Sequence, residues 1–99
     1  MSKILVTGAN GQLGQELQLL SQGSTYSFQF TDAAELDITD RQAVQDFFQQ
    51  QQPAYCINCA AYTAVDKAES EEALAYKINE KGAQNLAMAS KESTCTILQ

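Results

Sequence analysis

The chain has 99 residues, 44% of them hydrophobic, and carries 12 acidic against 6 basic side chains, a net charge of −6. That length holds one small domain. The scattered bases exclude a nucleic-acid surface, which needs clustered Lys and Arg on phosphates, and no apolar run approaches a membrane span of about 20 residues. Lys3 to Thr7 is too short for the apolar region of a signal peptide and leads straight into glycines. Cys56, Cys59 and Cys95 are odd in number and sit in apolar segments, which fits a reducing cytoplasm.

Lys3-Ile-Leu-Val-Thr7 is a β-branched, apolar run that reads as a strand buried on both faces. Gly8, Gly11 and Gly14 follow at spacings of three, and Leu13, Leu17 and Leu20 then recur at helical spacing, so helix one runs from about Gly11 to Ser21. Tyr26 to Phe30 alternates apolar and polar and predicts a second strand, with Asp32 at its carboxyl end. Thr39-Asp-Arg-Gln42 has the form of a capping box and opens helix two, whose Val44, Phe47 and Phe48 face the sheet. The Gln49 to Gln52 run is its solvated end, and Pro53 stops it. Tyr55 to Ala61 predicts a third strand running into small residues. Helix three occupies much of Glu71 to Lys91, with Leu74, Ile78, Leu86 and Ala89 on one side. Gly82 inside it costs about 1 kcal/mol relative to Ala unless something packs against it. Thr94 to Leu98 predicts a fourth strand. Short connections between alternating strands and helices require right-handed crossovers and a parallel sheet.

A strand, a glycine turn and a helix in succession form a phosphate-binding unit. The first glycine permits the turn, the second lets a backbone approach a pyrophosphate, and the third lets helix and strand pack closely. The helix start supplies N–H groups and partial positive charge. Asp32 lies 18 residues after Gly14, near where a carboxylate accepts hydrogen bonds from ribose hydroxyls. The fold class that follows is α/β: a Rossmann-like parallel sheet with helices on both faces, its strand order expected to be 3-2-1-4. The rival G-x-x-x-x-G-K-[ST] loop does not occur, and no Lys lies between Lys3 and Lys67. No Lys or Arg lies between Lys3 and Arg41, so a 2′-phosphate meets no local counter-charge; the cofactor is NAD or NADP, with NADH favoured.

Cys56-Ile-Asn-Cys59 invites a redox or zinc reading. Strand residues three apart point to opposite faces about 10 Å apart, too far for a disulfide, and the chain has no His to complete a zinc site. Buried structural cysteines are the better reading, with no metal site. The Asp66, Lys67, Glu69, Glu71, Glu72 cluster suits a charged helix start.

Val6-Thr-Gly-Ala-Asn-Gly-Gln-Leu-Gly14, Glu35-Leu-Asp-Ile-Thr-Asp40 and Asn58-Cys-Ala-Ala-Tyr-Thr-Ala-Val-Asp-Lys-Ala-Glu-Ser70 resemble the dTDP-4-dehydrorhamnose reductases, extended short-chain dehydrogenases/reductases. Asn79-Glu-Lys-Gly82 with Asn85-Leu86 also matches that family's third helix. The resemblance implies NAD(P)H-dependent reduction of a dTDP-4-keto sugar to dTDP-L-rhamnose. It assigns the cofactor to Gly8, Asn10 and Gly14 of the loop, with Gly11, Gln12 and Leu13 on the pyrophosphate and Asp32 on the adenosine ribose. Asp37 and Ile38 would flank the adenine, and Ala60, Ala61, Tyr62 and Thr63 would line the route towards the nicotinamide. The family often has His where this chain has Tyr62.

The family's Tyr-x-x-x-Lys pair, in which Tyr donates the proton, has no counterpart here. Tyr62 and Tyr76 precede Lys67 and Lys81 by five positions, not four, which places each pair on different helix faces. No residue of the chain is therefore assigned a catalytic role. The expectation is an incomplete cofactor-binding domain over residues 1–99, truncated after its fourth strand and inactive alone. The dTDP-sugar would be met only in an intact enzyme. A free-standing nucleotide-binding module and a piece of a sugar-nucleotide epimerase are the alternatives. The apolar, uncharged Thr94 to Leu98 edge favours truncation over the module, and predicts self-association through that strand. The Tyr62-Thr-Ala-Val-Asp-Lys-Ala-Glu69 run argues against the epimerase.

Overall fold

A computed structural model describes residues 3–60 and 77–98. In chain order these form β1 (Lys3–Thr7), α1 (Gln12–Ser21), β2 (Ser27–Phe30), α2 (Arg41–Gln51) and β3 (Tyr55–Asn58). A π-helical stretch (Lys77–Gly82) then runs into α3 (Ala83–Glu92), and β4 (Thr96–Leu98) follows. The expected positions Ala61, Tyr62 and Thr63 at the end of the third strand, and Glu71 to Leu74 at the start of the third helix, lie outside the described residues.

All strand pairs are parallel, and the order is β2-β1-β3-β4. This corrects the expected 3-2-1-4: among the described residues no strand lies outside β2. The reason is chemical. β2 alternates exposed or half-buried Ser27 and Gln29 with its two phenylalanines and suits an edge, whereas β3 carries the wholly buried Cys56 and belongs inside. The chain leaves β2, turns through 31–40 while burying Leu36 and Ile38, and uses α2 to cross back over β1. The sheet grows one way from β1 through α1 and the other way through α2. Right-handed crossovers in opposite directions put those two helices on opposite faces.

In register, Leu5 sits beside Cys56 and Cys56 beside Ile97, which makes one apolar row across the sheet. Val44 and Phe48 of α2, Leu86 and Ala89 of α3, and Leu36 and Ile38 close over this row as a single core, with Phe47 and Ile97 at its margin. On the other face Phe28 and Phe30 stack with ring centroids 5.7 Å apart. The leucine stripe of α1 is only partly covered: Leu17 is half-buried while Leu13 and Leu20 are exposed, and the helix buries Gly14 instead.

Helix α2 is capped one residue later than the sequence suggests. Asp40, not Thr39, is the N-cap, and its Oδ1 accepts the N–H groups of Gln42 and Ala43 at 3.1 and 3.2 Å. Thr39 instead donates its hydroxyl to Asp37 Oδ1 at 2.6 Å. The Asp40 carboxylate, one bond longer than a threonine hydroxyl and without its methyl, takes both amides on one oxygen. Gly82 has a tertiary explanation: a Cβ there would lie 2.5 Å from Ile38 Cδ1, so the helix accepts a poor helix former to let Ile38 in. The three cysteines are free thiols. Burial, with the neighbouring Cys95 and Cys59 thiols adding to it, pushes the Cys56 thiol from its ordinary value near 9.0 up to about 12. Cys59 and Cys95 are pushed up as well, again by burial first.

Candidate dinucleotide site

β1 and β3 are neighbours whose connections leave in opposite directions, so a crevice opens at their carboxyl ends, the place where open α/β sheets take ligands. The glycine loop lies there. Gly8 has φ +67, and a Cβ on it would come within 2.5–2.6 Å of Ala60 N, Ala60 Cα and Cys59 C. Only glycine lets the end of β1 turn this tightly against the end of β3. Half-buried Ala60 is thereby placed directly beside the loop. Gly14, in the first turn of α1, would carry its Cβ 2.6 Å from Ala9 Cα, Ala9 O and Gly8 O, so it fixes the helix on the loop. Gly11 differs. It is exposed, and the nearest atom to a Cβ there is Gly8 O at 3.3 Å. The protein's own packing asks little of it; a side chain there would fill the space in front of the loop.

Gly11 is also the N-cap of α1. It contributes no side-chain cap, and the first turn holds no acidic residue. Among the described residues no side chain accepts from the N–H groups of Gln12, Leu13 or Gly14, so the helix presents these donors and its positive end outwards. An anion with several acceptor oxygens is the natural complement. The residues present thus fit the diphosphate of a dinucleotide: an open cradle that a Cβ at Gly11 would fill, with unspent donors behind it.

The loop is braced by β2. Ala9 N–H donates to Thr31 O at 2.9 Å, and Asn10 N–H donates to Asp32 Oδ2 at 3.2 Å. Asp32 Oδ1 accepts Ala33 N–H at 2.9 Å, and its own N–H donates to Glu35 Oε1 at 2.8 Å. Asp32 is therefore brought to the loop, half-buried, with both oxygens oriented. Asp37 is exposed, its Oδ1 accepting from Thr39 N–H at 3.0 Å as well as from the Thr39 hydroxyl. The Ile38 side chain is turned into the core against Gly82, which leaves its backbone as the part that could meet a base. Its carbonyl accepts Asn85 Nδ2 at 2.9 Å, tying the 36–38 segment to α3.

Several residues of this arrangement went unnoticed in the sequence. Thr7 donates its hydroxyl to Asn58 Oδ1 at 2.7 Å, and Ala60 N–H donates to the same oxygen at 3.1 Å, so one amide ties β1 to the turn after β3. Gln15 Nε2 donates to Asn10 O at 3.0 Å and Gln18 Nε2 to Ala9 O at 2.9 Å. A signal existed: each glutamine lies one helical turn after a loop glycine, Gly11 or Gly14, within reach of the loop behind it.

The description "RmlD substrate binding domain" belongs to a family model that matches residues 2–99. A dTDP-4-dehydrorhamnose reductase of Streptomyces griseus is 44% identical over 95 residues, 96% of this chain and 31% of that protein. The crystal structure of a dTDP-4-dehydrorhamnose reductase from Clostridium acetobutylicum superposes with a TM-score of 0.92 at 50% identity, covering 98% of this chain and 35% of that one. The enzyme of the same name from Bacillus anthracis, in complex with NADP, superposes at 0.90 with 43% identity, covering 98% and 35%. The chain spans about a third of the length of these relatives. With the glycine loop, the parallel sheet and the family's own pattern in agreement from residue 2 to residue 99, this chain belongs to the family of the RmlD substrate binding domain.

Proposed function

We propose that this chain is the dinucleotide-binding part of a cytoplasmic dTDP-4-dehydrorhamnose reductase, taking the adenosine diphosphate moiety of NADH or NADPH on the Gly8–Gly14 loop. The observation that carries the reading is the exposed, uncapped start of α1 behind Gly11, a cradle that the protein's own packing does not require. The names of the relatives supply the substrate, dTDP-4-dehydrorhamnose, and the motif resemblance implies dTDP-L-rhamnose as the product. Gly8, Asn10, Gly11, Gln12, Leu13 and Gly14 form the phosphate contact, Asp32 meets the adenosine ribose, and Asp37 with the Ile38 backbone meets the adenine. Ala60, with Ala61, Tyr62 and Thr63 next in sequence, is assigned to the nicotinamide side. When bound, that ring supplies the hydride; this chain's part is to hold and orient the cofactor.

Between the two cofactors the reading favours NADH, because the Asp32 carboxylate accepts hydrogen bonds from ribose hydroxyls and repels a 2′-phosphate. The Bacillus anthracis relative in complex with NADP stands on the other side of that preference. Calorimetric titration of the chain with NADH, NADPH and ADP tests both points. NADH and ADP should bind, NADPH more weakly, and Gly11→Val should abolish all three while the protein stays folded. A folded chain that shows no heat with any of them at millimolar concentration overturns the assignment.

The net charge of −6 gives nucleic acid no foothold as a partner, and among the described residues no helix is long and apolar enough to cross a membrane. A second copy of the chain is the further partner in this reading. Among the described residues β4 lies at an edge of the sheet, with Leu98 53% exposed, and it carries no Lys or Pro to discourage pairing. Light scattering over a concentration series should show association, reduced by Leu98→Lys. Ile97 is the wrong place for that charge because it packs against the core. A concentration-independent monomer would sink this part.

A further inference from the structure

Four consecutive carbonyl oxygens of the glycine loop each accept a hydrogen bond from the chain's own donors. Gly8 O accepts Gly11 N–H at 3.1 Å, and Gly11 O accepts Gln15 N–H at 2.9 Å. The two between them are held by side chains: Ala9 O by Gln18 Nε2 at 2.9 Å and Asn10 O by Gln15 Nε2 at 3.0 Å. The loop's donors are arranged the other way. Ala9 and Asn10 spend their N–H groups on the β2 side, and the N–H groups of Gln12, Leu13 and Gly14 remain at the head of α1.

A peptide unit is a dipole, and at an anion site its orientation decides the sign of its contribution. An N–H turned towards a phosphate attracts it; a C=O turned the same way repels it. The peptide units after Ala9 and Asn10 are held at their N–H ends by Asp32 Oδ2 and Gly8 O, and at their C=O ends by the two glutamines. The geometry points to Gln15 and Gln18 as positioning residues that fix this polarity: they hold the Ala9 and Asn10 carbonyls back against α1, and so keep negative oxygen out of the space where the diphosphate of a dinucleotide would sit. Both glutamines act through the loop backbone, with no ligand contact assigned to either. The inference rests on the proposed reading of the loop as a pyrophosphate site.

The rival account is that two glutamines on a helix surface add stability and nothing more. The two differ in what should happen to phosphate recognition relative to adenosine. In the chain carrying Gln15→Met and Gln18→Met, side-chain length is kept and both donors are lost. Each hydrogen bond lost lowers ADP affinity by about fivefold. Binding of adenosine, followed by NMR shift titration, stays at the wild-type value. A merely structural role would lower both affinities together or neither. Should the double variant fail to fold, Gln15→Met alone carries the test, since Gln15 is exposed. If wild type binds ADP and the variants bind it equally well, or if ADP and adenosine weaken in step, the positioning role is overturned and the loop reading survives. If folded wild type binds no ADP, the loop reading fails and this inference falls with it.

Discussion

The two ends of the sheet make opposite environments from the same kinds of parts. At the amino ends of β3 and β4 a groove of about 520 Å³ opens between Phe48, Gln49, Gln52, Pro53, Glu92 and Thr94. At the carboxyl ends of β1 and β3 lies the glycine loop. Helices α2 and α3 finish at the first end and α1 begins at the second. Helix ends carry opposite partial charge, so the groove is framed by carbonyls and Glu92 while the loop is fronted by N–H groups. The groove, whatever its volume, is therefore the wrong place for a diphosphate. Parallel topology decides this before any side chain is chosen, because each crossover helix starts at the carboxyl edge and ends at the amino edge. Charge separates the site from the hollow.

The strongest way to break the comparison is to put side chains on the loop glycines. Gly14→Val would force a Cβ to within 2.6 Å of three backbone atoms that have no freedom to yield. It should lower unfolding free energy by about 3 kcal/mol or more, enough to leave a small domain mostly unfolded. Gly11→Val, with its nearest contact at 3.3 Å, should cost about 1 kcal/mol or less and lose binding instead. Urea denaturation of both variants separates them. Equal stability losses would mean that Gly11 is a packing residue like Gly14, and that the open space before the loop is not a ligand's.

Between the two ends sits Cys56, whose thiol is pushed up to about 12 mainly by burial. The folded state then favours the neutral thiol more strongly than the unfolded state does. Its contribution to stability is full below about pH 9 and is lost as pH climbs from there through the folded value. In that window unfolding free energy should fall by about 1.4 kcal/mol per pH unit from this group alone. Cys56→Ala, compared with wild type at pH 8 and pH 10.5, isolates the effect. The variant should lose some stability at pH 8 through the small cavity, yet show a shallower decline on the alkaline side. Parallel declines would place the thiol in contact with water.

What was legible in the sequence was what local rules govern. The glycine spacing, the β-branched first strand and the Pro53 stop each follow from backbone sterics within a few residues. The strand order did not follow, because which side of β1 receives β3 depends on comparing the burial of two strands about 28 residues apart, Ser27–Phe30 and Tyr55–Asn58. Gly82 looked like a defect until Ile38, 44 positions earlier, was seen filling the space. The cap on α2 was missed by one residue because Thr39 and Asp40 are both good N-caps and only geometry chooses between them. Gln15 and Gln18 are marked only by their place one helical turn after Gly11 and Gly14, a weak signal because glutamine is a neutral choice on any helix surface.

The smallest predicted effect tests the amino end. Two non-glycine residues there adopt left-handed backbone, Gln52 with φ 46 and Thr94 with φ 59. Thr94 follows Ser93, the C-cap of α3: Ser93 N–H returns to Ala89 O at 3.0 Å, and Cys95 N–H returns to Ser90 O at 2.8 Å. The turn that closes the helix therefore runs through Thr94 in the conformation that glycine adopts most easily. A β-branched side chain in that region is strained by about 1–2 kcal/mol, while glycine gives back part of the gain by loosening the unfolded chain. Thr94→Gly should thus stabilise the protein by about 1 kcal/mol net, and Gln52→Gly by less, since an unbranched Cβ is strained less. Both should leave ADP binding untouched, because the substitutions lie at the far ends of the strands from the loop. A rise in the urea midpoint with unchanged affinity would mark the two ends as independent. If Thr94→Gly destabilised the chain, the hydroxyl or methyl of Thr94 would have to be holding the start of β4, and the strain argument at this turn would be wrong.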